Sequence, residues 1–202
     1  MARLNAVELA MMQSPLRALT QRLYELPVLR RMLARAGVAL EGARLLDVGC
    51  GAGYETALLW RIFRPALLLG LDLMPEQLAR ARRAVQGSGA RLACADVCRL
   101  PLRDGSFDAA FELGILHHVP QWRQALGEIA RVVRPGGVLC AEELHGRWVA
   151  LQDRLAGTSH PPAARFDWPA FRAGLEAAGF ELLAEQGLAW QAARAFVARR
   201  RA

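Results

Sequence analysis

Hydrophobic positions follow three different patterns along the chain. Over the first forty residues, apolar side chains recur at three- and four-residue spacing: Leu4, Val7 and Met11, then Leu16, Leu19, Leu23 and Leu26. That period predicts amphipathic helices. Ser14-Pro15 supplies a cap and a first-turn residue, Pro27 opens a further helix, and Gly37 can close it. No strand pattern interrupts this arm, which covers residues 1–40.

Beyond it the pattern becomes an alternation. Short apolar runs rich in Leu, Val, Ala and Phe fall at residues 43–48, 66–71, 90–95, 107–112 and 138–144, as expected of buried parallel strands. Helical patterns separate them. Pro75 starts one with Leu78, Ala81 and Val85 inward and Arg80, Arg82 and Arg83 largely outward. Trp122, Leu126, Ile129 and Val133 stripe another, which Pro135-Gly136-Gly137 should stop. Five such alternations predict a doubly wound α/β sheet.

After His145 comes a short helix pattern and then GTSHPPAAR, a loop by composition. Asp167 caps a helix whose Trp168, Phe171, Leu175 and Ala178 face one way and which ends at Gly179. Two strand candidates close the chain, near residues 180–186 and 192–198. Residues 41–202 therefore read as one domain, with 145–166 as an inserted lid segment beside the N-terminal arm.

A length of 202 residues suits a single domain, and 53% hydrophobic with 22% charged residues can build a core under a charged surface. The charge narrows the chemistry. All 26 residues of the Lys+Arg total are arginine, at a net charge of +7. Such an excess invites a nucleic-acid or anionic-membrane partner, but uniform arginine beside abundant Ala, Leu and Gly fits a compositional bias better. The lack of lysine excludes a lysine base, a Schiff base and a P-loop lysine.

Cys50, Cys94, Cys98 and Cys140 form no CxxC pair and suit small buried thiols in a reducing cytosol. Cys94 and Cys98 alone do not make a zinc site, so no metal is expected. No apolar stretch reaches the ~18 residues of a membrane span, and the N-terminus lacks a signal-peptide core. The expected location is cytoplasmic.

The sharpest segment is LLDVGCGAG at residues 45–53, where a strand ending in Asp47 runs into Gly49, Gly51 and Gly53 before a helix. The glycines permit a tight turn and close approach of backbone to a ligand. Asp72 ends the second strand 19 residues after Gly53, where a carboxylate can accept from both ribose hydroxyls of an adenosine. The spacing fits nucleoside binding without choosing between NAD and S-adenosylmethionine.

With DVGCGAG at 47–53, Asp72, Asp96-Val97, FDAAFELGILHHVP at 107–120 and EIARVVRPGGVLC at 128–140, residues 43–145 resemble a class I S-adenosylmethionine-dependent methyltransferase. The similarity is greatest to the group of ubiquinone/menaquinone-biosynthesis methyltransferases (methyltransferase domain type 11). The resemblance implies a Rossmann-like, seven-stranded, mostly parallel sheet with an antiparallel last strand. It implies that Gly49, Cys50, Gly51 and Gly53 lie against the methionine part of S-adenosylmethionine, with Asp47 near its amino group. Asp72 would hold the ribose, with Leu73 and Met74 lining the adenine. Asp96 would meet the adenine amine with Val97 beside it, and Glu112 and Leu113 would pass the sulfonium.

Methyl transfer is an in-line displacement in which alignment does much of the work, and a base is needed only for a nucleophile that must lose a proton. Glu112, His117, His118, Glu142, Glu143 and His145 are candidates at the carboxyl ends of the fourth and fifth strands. Strand alternation sends Glu142 and Glu143 opposite ways. The lid would come from the arm, with Arg22 and Tyr24 as polar contacts, and from 145–166. Met11, Met12, Leu16, Trp148 and Leu151 there suit an apolar or aromatic small-molecule acceptor, though such spacing also fits ordinary core.

A nucleic-acid methyltransferase is less well supported. The Asn/Asp-Pro-Pro-Phe/Tyr motif of base methylation is absent after strand four, where Glu112-Leu113-Gly114-Ile115 stands, no Pro-Cys nucleophile is there, and a Lys-Asp-Lys-Glu tetrad is impossible without lysine. A non-catalytic S-adenosylmethionine-binding protein and a dinucleotide oxidoreductase would carry similar glycine turns. The acceptor atom and the oligomeric state, monomer or homodimer, are not readable.

Overall fold

The computed structural model describes residues 5–188 and 191–202. Leu4 of the predicted arm stripe lies outside them. Seven strands form one sheet in the order β3-β2-β1-β4-β5-β7-β6: β1 Arg44–Val48, β2 Leu67–Asp72, β3 Arg91–Cys94, β4 Phe107–Leu113, β5 Val133–Leu144, β6 Phe180–Leu188 and β7 Ala193–Arg200. The first five pair in parallel. β7 lies between β5 and β6 and runs against both. This is the predicted Rossmann-like sheet with its antiparallel last strand.

Helices cover both faces: α4 Tyr54–Phe63, α5 Pro75–Ala84, α6 Trp122–Val132, α7 Gly146–Ala156 and α8 Trp168–Ala177. Two cores result from the alternation of strand side chains. Leu46, Val48, Ala110 and Leu139 face Trp122, Ile129 and Phe171 on one side. Leu45, Ala109, Phe111 and Cys140 face Leu29, Leu33 and Leu59 on the other.

The Pro135-Gly136-Gly137 stop is not a stop. α6 ends at Val132, and β5 runs through the tripeptide. A Cβ on Gly137 would stand 2.6 Å from the Asp108 carbonyl oxygen, so glycine lets β5 press against β4 where their register shifts.

Pro27 likewise does not break the arm. α1 Ala6–Met12 and α2 Pro15–Thr20 lead through a π-helical turn, Gln21–Glu25, directly into α3 Leu26–Arg35. Pro27 follows a turn of π-helical form, in which the Leu26 amide bonds the Gln21 carbonyl, and that wider turn accommodates the ring and its missing N–H.

The arm's apolar stripe points the unexpected way. Leu16 and Leu23 are 71% and 65% exposed, and Val7, Met11, Leu19 and Tyr24 are also exposed, while Glu8, Gln21 and Glu25 are buried. Only from Leu26 onward does the apolar face turn into the core.

Arg131 clamps the loop after β3. Its guanidinium donates to Glu128, Asp104 and the Leu100 and Leu102 carbonyls, and Glu128 in turn accepts from the Leu100 amide. Among the described residues no helix is long and apolar enough to cross a membrane. Cys50 and Cys140 are buried as expected, but Cys94 is exposed and Cys98 half-buried; Cys94 ends β3 at the sheet edge, where no further strand covers it.

Gly53, at φ +83°, begins α4, and a Cβ there would lie 2.8 Å from the Ala81 Cα of α5. Gly53→Ala is therefore expected to cost about 2 kcal/mol or more in urea denaturation, from backbone strain and the clash together.

Candidate active site

The parallel strands present their carboxyl ends at one edge of the sheet, and alternation sorts the acidic residues there onto two faces. Asp47 of β1 and Glu142 of β5 join the face covered by α4 and the arm. Glu112 of β4 and Glu143 of β5 join the face of α6. Glu142 and Glu143 do point apart, as expected.

On the first face Asp47, Glu55, Glu25 and Glu142 are all buried. Glu55 stands in the first turn of α4 and Glu25 in the π-helical turn. Arg17 of α2 pairs with Glu25 and donates to the Leu113 carbonyl at 3.3 Å. One oxygen of each acid, Asp47 Oδ1, Glu55 Oε1, Glu25 Oε2 and Glu142 Oε2, has no hydrogen-bond partner. Burial pushes the Asp47 carboxyl up to about 7, with the Thr56 hydroxyl bond working against it and the Asp72 charge adding to it. Burial likewise holds Glu55 and Glu142 well above the usual range, with Asp47 adding repulsion at Glu55 and Glu25 at Glu142. Glu25 is also raised by burial, against the pull of Arg17.

A cleft opens between the glycine turn, the end of β4 and the arm. Of the residues predicted to hold the cofactor, Gly49, Cys50, Gly51, Asp72, Met74 and Leu113 line it. The turn is fastened from both sides: Gly49 and Cys50 donate to the Leu71 carbonyl, each at 2.8 Å, and Asp72 accepts from the Gly51 and Met74 amides at 2.9 and 2.8 Å. A Cβ on Gly49 would stand 2.2 Å from the Ile115 side chain, whereas one on Gly51 would meet only the Gly49 carbonyl, at 4.0 Å. Gly51 therefore faces the cleft with bare backbone.

A smaller apolar slot, lined by Leu73, Ala95, Val97 and Leu100, shares Gly49, Asp72 and Ile115 with the cleft. Asp96 lines neither; its carboxylate accepts from the Cys98 amide at 2.9 Å and caps the turn after β3. Asp47 lies behind the turn, bound to Thr56. Gly53 packs on α5 instead of facing the cleft.

Glu112 and Glu143 lie beneath the opposite face. Glu112 accepts from the Ile115 amide at 2.7 Å, and Glu143 accepts from the Leu116 amide and lies 2.6 Å from His117 Nδ1. Burial raises Glu143 to about 7, and raises Glu112 further because the Glu143 charge adds to it. Glu112 Oε2 has no hydrogen-bond partner. Burial first, and then the neighbouring His160 with Arg17 at His117 and with His117 at His118, hold the two imidazoles down to about 3 and about 2, which favours their neutral forms. Of the candidate bases, only His118 reaches the cleft. His145 caps α7 and meets Trp168 edge-on.

Glu55, Gln77, Gln21 and Arg17 also stand on the cleft wall, and none of them was foreseen from the sequence. Glu55 carried a signal, being an acid in the first turn after the glycine loop. Arg22 and Tyr24, expected as lid contacts, are exposed because the π-helical turn brings Gln21 and Glu25 inward instead. Met12 lines the cleft, but Met11, Leu16, Trp148 and Leu151 are exposed.

Residues 46–141 match a family model described as a methyltransferase domain. Those residues form a class I S-adenosylmethionine-dependent methyltransferase domain. It is 36% identical over 125 residues to the fatty-acid O-methyltransferase of Mycolicibacterium smegmatis, covering 62% of this chain and 45% of that one. It is 34% identical over 116 residues to the phthiotriol/phenolphthiotriol dimycocerosates methyltransferase of Mycobacterium leprae, covering 55% and 43%. The chain thus spans less than half the length of either relative. Among solved structures, a chain of the complex between the Haloferax volcanii Trm112 methyltransferase activator and a methyltransferase superposes with a TM-score of 0.79 at 19% identity, covering 100% of both chains.

The residues of this methyltransferase fit the family's cofactor. S-adenosylmethionine carries an ammonium and a sulfonium, and the first face offers four partnerless carboxyl oxygens to a single guanidinium. Gly51, bare toward the cleft, admits a ligand that a side chain would displace.

Two expectations follow. Gly51→Ala, with open space around its Cβ but φ at +50°, should cost about 1–2 kcal/mol of stability while weakening S-adenosylhomocysteine binding at least tenfold in calorimetry. Asp47 keeps on folding a proton that the unfolded chain releases near pH 3.8, so its contribution lowers stability as pH rises from there through about 7. Asp47→Asn should therefore stabilise the ligand-free protein at pH 8 by about 1–3 kcal/mol in urea denaturation, with little effect at pH 4, and still lose affinity for S-adenosylhomocysteine.

Proposed function

We propose that this methyltransferase moves the methyl group of S-adenosylmethionine to an oxygen of a small, apolar, lipid-like acceptor. The observation that carries the reading is the cleft itself: a bare glycine turn and a surplus of buried acid, roofed by an arm whose outer face is apolar. The relatives, one named for fatty acids and one for phthiotriol lipids, support an oxygen nucleophile on an apolar body.

When bound, the cofactor supplies a methyl group already activated on a cationic sulfonium. Asp47 and Glu55 would take its ammonium. Asp72 would take the ribose hydroxyls while keeping Gly51 and Met74, because each carboxylate oxygen has a second lone pair. Leu73, Met74 and Val97 would flank the adenine, and Asp96 would receive its amine. Arg17, Gln21 and Met12 on the arm exclude water from the cleft, and Leu113 and Gly114 form the wall along which the acceptor approaches. Holding both reactants in line supplies most of the acceleration.

His118 is the candidate base that lines the cleft, and a neutral imidazole with so low a pKa is a weak base. An acceptor that arrives ionised, such as a carboxylate, needs no base. His118 then serves as a hydrogen-bond donor that orients the acceptor oxygen.

The test is methyl-labelled S-adenosylmethionine offered with fatty acids, hydroxylated lipids, phenols, quinols, amines and thiols, read by mass spectrometry. Label should appear on oxygen of the long-chain acids or alcohols, with one S-adenosylhomocysteine per methyl ester or ether, and calorimetry should show S-adenosylhomocysteine binding and no NAD binding. Cofactor binding without methylation of any acceptor would overturn the transfer reading in favour of a binding protein. Label confined to amines would overturn the oxygen assignment.

A further inference from the structure

His117 and His118 follow β4 in a 3-10 turn, and His160 lies in the loop after α7, yet the three imidazoles meet under the cleft. Each is at most 7% exposed, and one ring nitrogen of each lies within 4.8 Å of the others. We propose that His117, His118 and His160 form a binding site for one divalent transition-metal ion, such as zinc.

The surroundings are those of a ligand set. His117 Nδ1 is 2.6 Å from Glu143 Oε2, and His160 Nδ1 is 2.6 Å from Asp153 Oδ1. A carboxylate behind Nδ1 fixes the tautomer, leaves the Nε2 lone pair for an ion, and raises its basicity. Asp153 is itself fastened by the Thr158 hydroxyl and by Arg165, each at 2.7 Å. Three imidazoles suit zinc and its neighbours in the series, not calcium or magnesium, which prefer oxygen.

Glu8 of α1 places Oε1 3.8 Å from His160 Nε2, a carboxylate beside the ligand set whose oxygen is already engaged by the Ser159 amide at 3.0 Å. Zinc–nitrogen bonds of about 2.0–2.1 Å in tetrahedral geometry set the nitrogens about 3.3 Å apart, so they must draw together by up to roughly 1.5 Å. His118 also lines the cleft, which gives the ion an entry path and opens its fourth position toward the acceptor. If methyl transfer proceeds to an oxygen as proposed, that position would hold the acceptor oxygen.

The test starts from untagged protein stripped by a chelator and reloaded with zinc or cobalt(II). One ion per chain by elemental analysis is expected, with the intense visible bands of four-coordinate cobalt. A His117→Asn/His160→Asn double variant should lose both. Asp153→Asn, which leaves all three ligands in place, should weaken zinc binding 10- to 100-fold and serves if the double variant does not fold. S-adenosylhomocysteine titration of the same samples reads the cofactor cleft separately, so a failed methyltransferase reading leaves the metal result standing. Absence of bound metal in the reloaded wild type, or metal and cobalt bands that persist in the double variant, would overturn the site.

Discussion

Four carboxyl groups, Asp47, Glu55, Glu25 and Glu142, are buried around one guanidinium, that of Arg17. Parallel strands make this hard to avoid, since every strand delivers its last residue to the same edge, and alternation then stacks the acids on a shared face. A group of like charges out of water is unfavourable unless protons or cations balance it. The protein supplies one cation, and burial raises the carboxyls so that their protonated forms are favoured. A ligand bearing its own positive charges completes the balance, so the same arrangement that disfavours the ligand-free charged state favours binding.

The two faces of the sheet edge divide the work. The arm-covered face is arranged around positive charge and the cofactor. The other face holds Glu112, Glu143 and the histidines in hydrogen bonds to backbone and to one another. Only Leu113, Gly114, Ile115 and His118 pass from one system to the other along the cleft.

Much of this was legible in the sequence. The parallel strands are apolar runs because both their faces are covered, and the glycine turn shows itself because positive φ and bare backbone demand glycine. Other features were hidden for physical reasons. Pro135-Gly136-Gly137 looks like punctuation, but Gly137 is needed for close strand contact and β5 continues through it. Helical period identifies the residues that share a face without saying which way that face points, so the outward turn of Leu16, Leu19 and Leu23 left no mark. A π-helical turn then shifted the phase, exchanging Arg22 for Gln21. His160 joins His117 and His118 only through the path of α7 and the loop after it, and no spacing rule reaches across that interval. The all-arginine composition, which fits a compositional bias, has one specific use at Arg131, where the fork geometry of a guanidinium reaches acceptors that a lysine could not serve together.

The inverted arm has a consequence for how the molecule opens. Because α1 and α2 show their leucines to solvent and attach through Glu8, Arg17 and Gln21, lifting them away exposes little new hydrocarbon. The hydrophobic effect therefore neither drives this segment on nor resists its departure. Its attachment is polar, made by Glu8 to the Ser159 amide, Arg17 to the Leu113 carbonyl and Gln21 to Glu55. Detachment of such a polar strap would uncover the cleft without breaking into either hydrophobic core of the sheet.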